Sequence, residues 1–303
     1  MSAVTCTRST RFLLILLFLL PTIALAQSYV DSLASARDSN DLAIREETIG
    51  PFTAIGQASL RDGQALRISL FSDTLLLGHP TADLGIANLE VIWKKDDGIA
   101  YLRTPQGRTF TMGRQTIGPI PLAYTPGDTV RAGHYLIQIY LSPNGARLMA
   151  FDPMAPGRTE FKGLHWYNPD PGWRVTARVE PISDPDTVAM TTSLGLTKFY
   201  VQKARLYFTS PTGQEGALTL FGPAQGPQYG FLPFTDATTG VDTYGAGRYL
   251  DLEPPEEGAE TMEIDFNQAY NPYCAYTHFY NCPIPPAENQ LEFEVKAGEK
   301  TYK

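Results

Sequence analysis

The residues best equipped for chemistry gather between Phe231 and Lys303, where aromatic, amide, cysteine and charged side chains alternate with glycine and proline. Arg248 sits in the run Tyr244-Gly-Ala-Gly-Arg248-Tyr249. A guanidinium in aromatic company either clamps a carboxylate or phosphate through two parallel hydrogen bonds or pairs with Asp236 or Asp265 inside the fold. Asp265 and Asn267 alternate with Ile264 and Phe266, so on a strand they share one face. Together with Tyr244, Tyr249, Tyr270 and Asn271 they make up a candidate ligand groove. Beside Arg248, either Asp236 or Asp265 is positioned to act as the general base of a hydrolase, provided the carboxylate lies in an open cleft.

Other chemistries find less support. Asp265, Asn267, Asn271 and Glu288 offer oxygen donors for calcium, but the order D-x-N-x-x-x-N is not an EF-hand loop. No metal ligand set and no cofactor are assigned. Nucleophile-elbow, H-E-x-x-H and phosphate-loop patterns are absent from the sequence. Cys274 and Cys282, with seven residues between them, form either a disulfide closing a small loop or two buried thiols. Cys6 lies in the N-terminal leader.

That leader sets the expected compartment. Arg8 and Arg11 precede the apolar run Phe12–Leu20, then Pro21, then Ala24-Leu25-Ala26, the layout of a secretory signal peptide spanning residues 1–26. The uncharged stretch Phe12–Ala26 is 15 residues, short of the roughly 20 a spanning helix needs. The expectation is an exported chain, periplasmic or secreted, with no membrane span after cleavage. Cleavage removes two arginines and no acid, leaving 22 basic against 32 acidic residues and a net charge of −10. An acidic chain lacks the clustered positive charge that nucleic acid requires. A small molecule or glycan is the expected partner.

The elements that must position these residues read as short strands. Residues 27–50 carry the one helix candidate, with Tyr29, Val30, Leu33 and Ala36 at three-to-four spacing, a break at Asp38-Ser39-Asn40 and a stop at Gly50-Pro51. Residues 51–157 form a first β-module. Alternation marks strands at Ala65–Leu70, Thr74–Leu77 and Leu89–Trp93, and Asp97-Gly98 turns the last into Ile99–Arg103. More follow at Thr109–Met112, Thr129–Val130, Tyr135–Tyr140 and Arg147–Phe151. Turns fall at Pro105–Gly107, Pro126-Gly127 and Pro143–Gly145, and His79 reads as a loop residue. Residues 158–303 form a second β-module, with strands at Trp173–Val179, Thr187–Thr191, Lys198–Val201, Ala204–Thr209 and Ala217–Phe221, a hairpin over Phe231–Asp251, and a last strand through Leu291, Phe293 and Val295. Asp236 to Gly240 reads as a turn whose aspartate bonds backbone N–H groups ahead of it, with Gly240 at positive φ. Gly245 and Gly247 read as glycines within a strand. The fold class is all-β, sandwich- or barrel-like modules with one N-terminal helix.

Three blocks are specific enough to carry a resemblance: GLHWYNPD with WRVTARVEP, FLPFTDATTGVDTYGAGRYLDL, and IDFNQAYNPYCAYTHFYNCPIPPAENQLEFEVKAGEK. Through them, over about residues 158–303, the chain resembles the domain of unknown function 1684 family of uncharacterised bacterial proteins. The resemblance implies a β-rich fold and assigns no chemistry. The expectation is a binding or structural protein of the cell envelope, with the hydrolase as the alternative.

Overall fold

A computed structural model describes residues 10–71, 74–78, 87–105, 110–142, 145–224 and 229–302, with the side chains of its long helix described from Gln27 onward. The expectations attached to Cys6, Arg8, His79, Gly107, Thr109, Pro143 and Asn144 lie outside the described residues. The helix, α1, runs Thr10–Glu46. It continues through Asp38-Ser39-Asn40, where a break was expected, and those three exposed polar residues simply occupy its solvent side. Among the described residues, no helix is long and apolar enough to cross a membrane.

The chain divides into two compact units, one of residues 43–162 and 276–281, the other of 1–42, 163–275 and 282–303. The amino-terminal unit threads β1 (Ala54–Leu60), β2 (Ala65–Phe71), β3 (Thr74–Gly78), β4 (Ala87–Lys94), β5 (Ile99–Arg103), β6 (Phe110–Met112), β7 (Gln115–Thr116), β8 (Leu122–Ala123), β9 (Val130–Ala132), β10 (Tyr135–Ser142) and β11 (Gly145–Phe151). They form two antiparallel sheets, ordered β1-β11-β10-β9-β6-β7 and β3-β2-β4-β5-β8. Ile68, Leu89, Val91, Trp93 and Leu102 from one sheet share a core with Phe110, Val130, Ile137 and Leu148 from the other. That is a β-sandwich, as alternating strands with one buried face require. A helical turn, α2 (Pro156–Thr159), follows β11. The segment Tyr276–Asn281 packs with this unit: Tyr276 lies on Phe52 with ring centroids 5.2 Å apart, and Phe279 and Tyr280 pack on Leu136, Met149 and Phe151.

The carboxy-terminal unit contains β12 (Arg174–Pro181), β13 (Thr187–Thr191), β14 (Thr197–Thr209), β15 (Glu215–Pro223), β16 (Gly230–Phe234), β17 (Arg248–Leu252) and β18 (Thr261–Asp265). One antiparallel sheet runs β17-β16-β15-β14-β12-β18, with β13 also on β14. Trp173, Val175, Ala177 and Val179 all face its core, as their alternation predicts. The two short strands expected at Lys198–Val201 and Ala204–Thr209 are one strand. A register irregularity between Gln202 and Ala204 lets it pair with β15 from Tyr200 to Thr209, which is how a bulge absorbs one extra residue.

The sequence Leu291–Ala297 differs from its expectation in an instructive way. Leu291, Phe293, Val295 and Ala297 are buried, and Glu292, Glu294 and Lys296 between them are exposed. The alternation is that of a strand, but the backbone joins no ladder: Leu291 and Phe293 bond to the backbone of Thr235 and Ala237, and beyond them side chains take over at Val295 and Ala297.

Candidate functional site

The residues singled out from the sequence fall into four clusters, all within the carboxy-terminal unit, rather than along one groove. In the first, the β16–β17 hairpin brings Asp236 and Arg248 together. Arg248 Nη2 lies 3.3 Å from Asp236 Oδ2, with both side chains fully buried. The partner of Arg248 is therefore Asp236 and not Asp265. Arg248 also donates from Nη2 to the Val295 carbonyl at 2.9 Å and from Nη1 to the carbonyls of Ala297 and Glu299. Asp236 Oδ2 in turn accepts the Val295 N–H at 2.6 Å. The ion pair thus supplies donor and acceptor to the tail from Val295 onward as a neighbouring strand would, continuing the backbone bonds that Thr235 and Ala237 make to Leu291 and Phe293. Phe234 lies 5.2 Å from the guanidinium carbon. Burial pushes the Arg248 pKa down, while Asp236 opposes the shift.

Local geometry builds this pair. Asp236 Oδ1 accepts the hydroxyls of Thr238 and Thr239, instead of the backbone N–H groups ahead of it that the turn pattern suggests. Gly240 has φ +78° as expected. Tyr244–Gly247 is a turn rather than strand, and β17 begins at Arg248. Gly247, at φ +88°, would place a Cβ 2.5 Å from the Phe234 carbonyl oxygen, so only glycine lets the chain enter β17 here. Glu299, completely buried, holds the tail from its far side: its carboxylate accepts the Asn271 N–H and the Asn271 side-chain amide, both at 2.9 Å.

The second cluster surrounds Asp265. Strand β18 ends there, and Phe266–Gln268 forms a 3₁₀ turn capped by the Asp265 carboxylate. Asp265 and Asn267 therefore do not alternate along one strand face. They touch directly, Asn267 donating to Asp265 from both its backbone N–H (3.1 Å) and Nδ2 (3.0 Å). Gln268 donates as well, and Tyr29 of α1 directs its hydroxyl at both carboxylate oxygens, at 2.9 and 2.7 Å. Burial, reinforced by Asp265, pushes the Tyr29 pKa up. Arg37, about two turns further along α1, donates to the carbonyls of Tyr167 and Asn267 and stacks over Trp166. These contacts dock residues 27–42 of α1 within the unit.

The third cluster is aromatic. Tyr249 and Tyr270 exchange backbone hydrogen bonds and stand edge to face, 5.9 Å apart. The Tyr249 hydroxyl donates to the Pro283 carbonyl and that of Tyr270 to Asp251. Burial raises the pKa of both tyrosines. The fourth cluster joins Tyr244, Cys274 and Cys282. Both cysteines are free thiols rather than a disulfide. The Tyr244 hydroxyl lies 3.3 Å from the Cys274 carbonyl oxygen and 3.7 Å from its Sγ.

The oxygen donors considered for calcium do not converge. Glu288 accepts from Gln202, Asn271 is held by Glu299, and Asp265 is taken up by Tyr29, Asn267 and Gln268. Two buried polar residues escaped the sequence reading. Glu299 is one, and Asn289 is the other: its amide accepts the Thr219 N–H and donates to the carbonyls of Thr219 and Pro233, bridging β15 and β16. The signal for Glu299 is its neighbour Gly298, at φ +78° with no room for a Cβ beside the Ala269 carbonyl oxygen. A cleft does exist elsewhere, lined by Leu252, Glu253, Pro255, Glu256, Met262 and Glu263 at the ends of β17 and β18.

Comparison with known proteins agrees with this geography. A family model described as "Protein of unknown function (DUF1684)" matches residues 159–300. The solution NMR structure of an uncharacterized protein from Haloarcula marismortui is 40% identical over 50% of this chain and 83% of its own, with a TM-score of 0.41. No curated protein matches.

Proposed function

We propose, from the premise that this chain belongs to the family of proteins of unknown function DUF1684, that it is an exported β-rich protein of the cell envelope that works by binding or as a structural part, not by hydrolysis. The observation that carries this reading is the complete enclosure of its most conspicuous charge pair. Asp236 and Arg248 are fully buried and spend their hydrogen bonds on Thr238, Thr239 and the tail backbone. A general base needs an open lone pair within reach of substrate. The Asp236 side chain has no exposed surface, and that of Asp265 is only 7% exposed beneath four donor groups.

Export is supported by the leader pattern. The contacts of Tyr29, Leu33, Arg37 and Asp41 lie beyond Ala26 and are kept when the chain is cleaved there. For a small-molecule or glycan ligand the β17–β18 cleft is the candidate seat, where the carboxylates of Glu253 and Glu256 can accept hydroxyl or ammonium donors beside Pro255 and Met262, while Glu263 is paired with Arg174.

The test measures turnover and binding on the same preparation. Purified mature protein is assayed against ester, phosphoester and glycoside substrates, and its melting temperature is followed across a panel of envelope glycans and organic cations. The expected result is no turnover, with stabilisation by a panel compound that is lost in Glu256→Gln. Turnover abolished by Asp265→Asn in a variant that still melts cooperatively would replace this reading with the hydrolase.

A further inference from the structure

Cys274 and Cys282 stand at the two ends of the segment Tyr276–Asn281, where the chain leaves the carboxy-terminal unit and where it re-enters it. Cys282 Sγ accepts the Cys274 backbone N–H at 3.3 Å, and its thiol hydrogen-bonds the Cys274 sulfur. Ser193, at the tip of the β13–β14 hairpin, fixes Cys282 by accepting its N–H and donating its own to the Cys282 carbonyl. The Cys282 sulfur thus already lies against the Cys274 residue before any bond forms between the two thiols.

The pair is also asymmetric. Cys274 is half-buried, in a 3₁₀ turn beside the exposed Tyr273, whereas Cys282 is buried. Hydrogen bonds from Cys282 first, then from Tyr244 and Ser193, push the Cys274 thiol down to about 7 against its burial. The same contact, together with burial, pushes Cys282 up. Their titratable and charged neighbours are Tyr244 in the turn before β17, Tyr249 on β17, and Tyr200 and Lys198 on β14. One cysteine is partly exposed with its thiol pushed down, and the other is buried with its thiol pushed up, which is the division of labour that dithiol exchange uses.

We propose that Cys274 and Cys282 form a reversible dithiol–disulfide site that exchanges with low-molecular-weight disulfides, Cys274 as the attacking sulfur and Cys282 as the resolving one. The Cys274 thiolate attacks one sulfur of RSSR, forms a mixed disulfide and expels RS⁻. Cys282 gives up its proton, its thiolate attacks Cys274 Sγ, and the second RS⁻ leaves and is protonated. In balance, two protein thiols lose two electrons to become one disulfide, and RSSR is reduced to two RSH. The bond closes the loop 275–281 at its neck.

The experiment equilibrates the mature protein in glutathione buffers of graded oxidised-to-reduced ratio, quenches with an alkylating reagent and reads intact mass. Expected is interconversion of the dithiol and an intramolecular disulfide, in both directions and in folded protein. Cys282→Ser should accumulate a glutathione adduct on Cys274, and Cys274→Ser should leave Cys282 slow to react. In wild type, the rate of alkylation should rise with a midpoint near 7, and Tyr244→Phe should move that midpoint upward. The proposal is overturned if no intramolecular disulfide forms at any ratio. It is also overturned if the bond resists reduced glutathione until the protein is unfolded, which marks a structural crosslink, or if Cys282 takes up glutathione as fast as Cys274.

Discussion

Replacing Arg248 by methionine removes the charge while keeping much of the side-chain volume. Leaving a buried carboxylate without its partner costs about 3–5 kcal/mol, and Asp236 keeps three donors, from Thr238, Thr239 and Val295, which places the loss toward the low end. The Val295 and Ala297 carbonyls also lose their donor, at about 1–3 kcal/mol for each buried group left unpaired. Because such losses overlap, the expected total is about 4–6 kcal/mol. A domain with roughly 5–15 kcal/mol in hand is left barely folded by this. Urea unfolding followed by tryptophan fluorescence reads it, since Trp173 packs edge to face on Phe266 in the same core. The companion variant is Asp236→Leu with Arg248→Met. An ordinary buried ion pair tolerates replacement of both partners by apolar residues. Here the double variant should stay well below wild type, because the Val295 N–H and the tail carbonyls remain unpaired. Recovery to within about 1 kcal/mol of wild type, a small fraction of a broken buried pair, would refute the surrogate-strand account.

Further outcomes follow from the other clusters. Asn289→Ala removes three buried hydrogen bonds between β15 and β16 and should cost about 2–4 kcal/mol in chemical denaturation; a loss too small to resolve would mean that β15 and β16 hold without it. Tyr29→Phe deletes the hydroxyl that bridges both oxygens of Asp265 and should cost about 1–2 kcal/mol. It should also speed hydrogen exchange in residues 27–42, and unchanged exchange there would contradict the docking role of Tyr29. Gly298→Ala forces a Cβ to 2.6 Å from the Ala269 carbonyl oxygen at φ +78°, so a fall in melting temperature is expected even for this smallest of substitutions. Burial pushes Tyr167 and Tyr200 up to about 12 from an ordinary 10.0. The unfolded chain gives up these protons first, so stability that is intact below pH 10 falls as pH climbs towards 12. Tyrosinate absorbance should therefore lag behind free tyrosine and rise together with unfolding; a full titration of all tyrosines in folded protein would rule this out.

Strands were legible wherever alternation and a neighbouring strand coincide. At Trp173–Val179 every second residue points into the core, and β14 and β18 take the backbone on either side. Leu291–Ala297 carries the same pattern without a ladder. Alternation records which side chains face inward and is silent on what accepts the backbone, so Asp236 and Arg248 could not be recognised as stand-ins for a strand. The bulge within β14 was read as two strands for a related reason, since one inserted residue shifts the phase of the pattern. The candidate site residues lie close together in sequence, yet each sits at the end of a different element. Asp265 closes β18, Arg248 opens β17 and Asn271 follows the 3₁₀ turn, and each end faces its own set of partners. Asn289 and Glu299 read as loop polars because an isolated amide or acid in a proline- and glycine-rich stretch looks the same whether it is solvated or wholly enclosed.

The pairing of Asp236 with Arg248 also implies an order of assembly. These two residues are 12 apart in sequence, and the β16–β17 hairpin alone suffices to bring them together. The bonds from Arg248 to the tail span 47 to 51 residues, a far longer loop to close. The hairpin is therefore the template and the tail its dependent: until the guanidinium is in place, the Val295 and Ala297 carbonyls lack the donor it supplies, and the bonds of Leu291 and Phe293 also run to this hairpin, at Thr235 and Ala237. Substitutions at Arg248 should then speed unfolding more than they slow folding, which the two arms of a urea chevron would show.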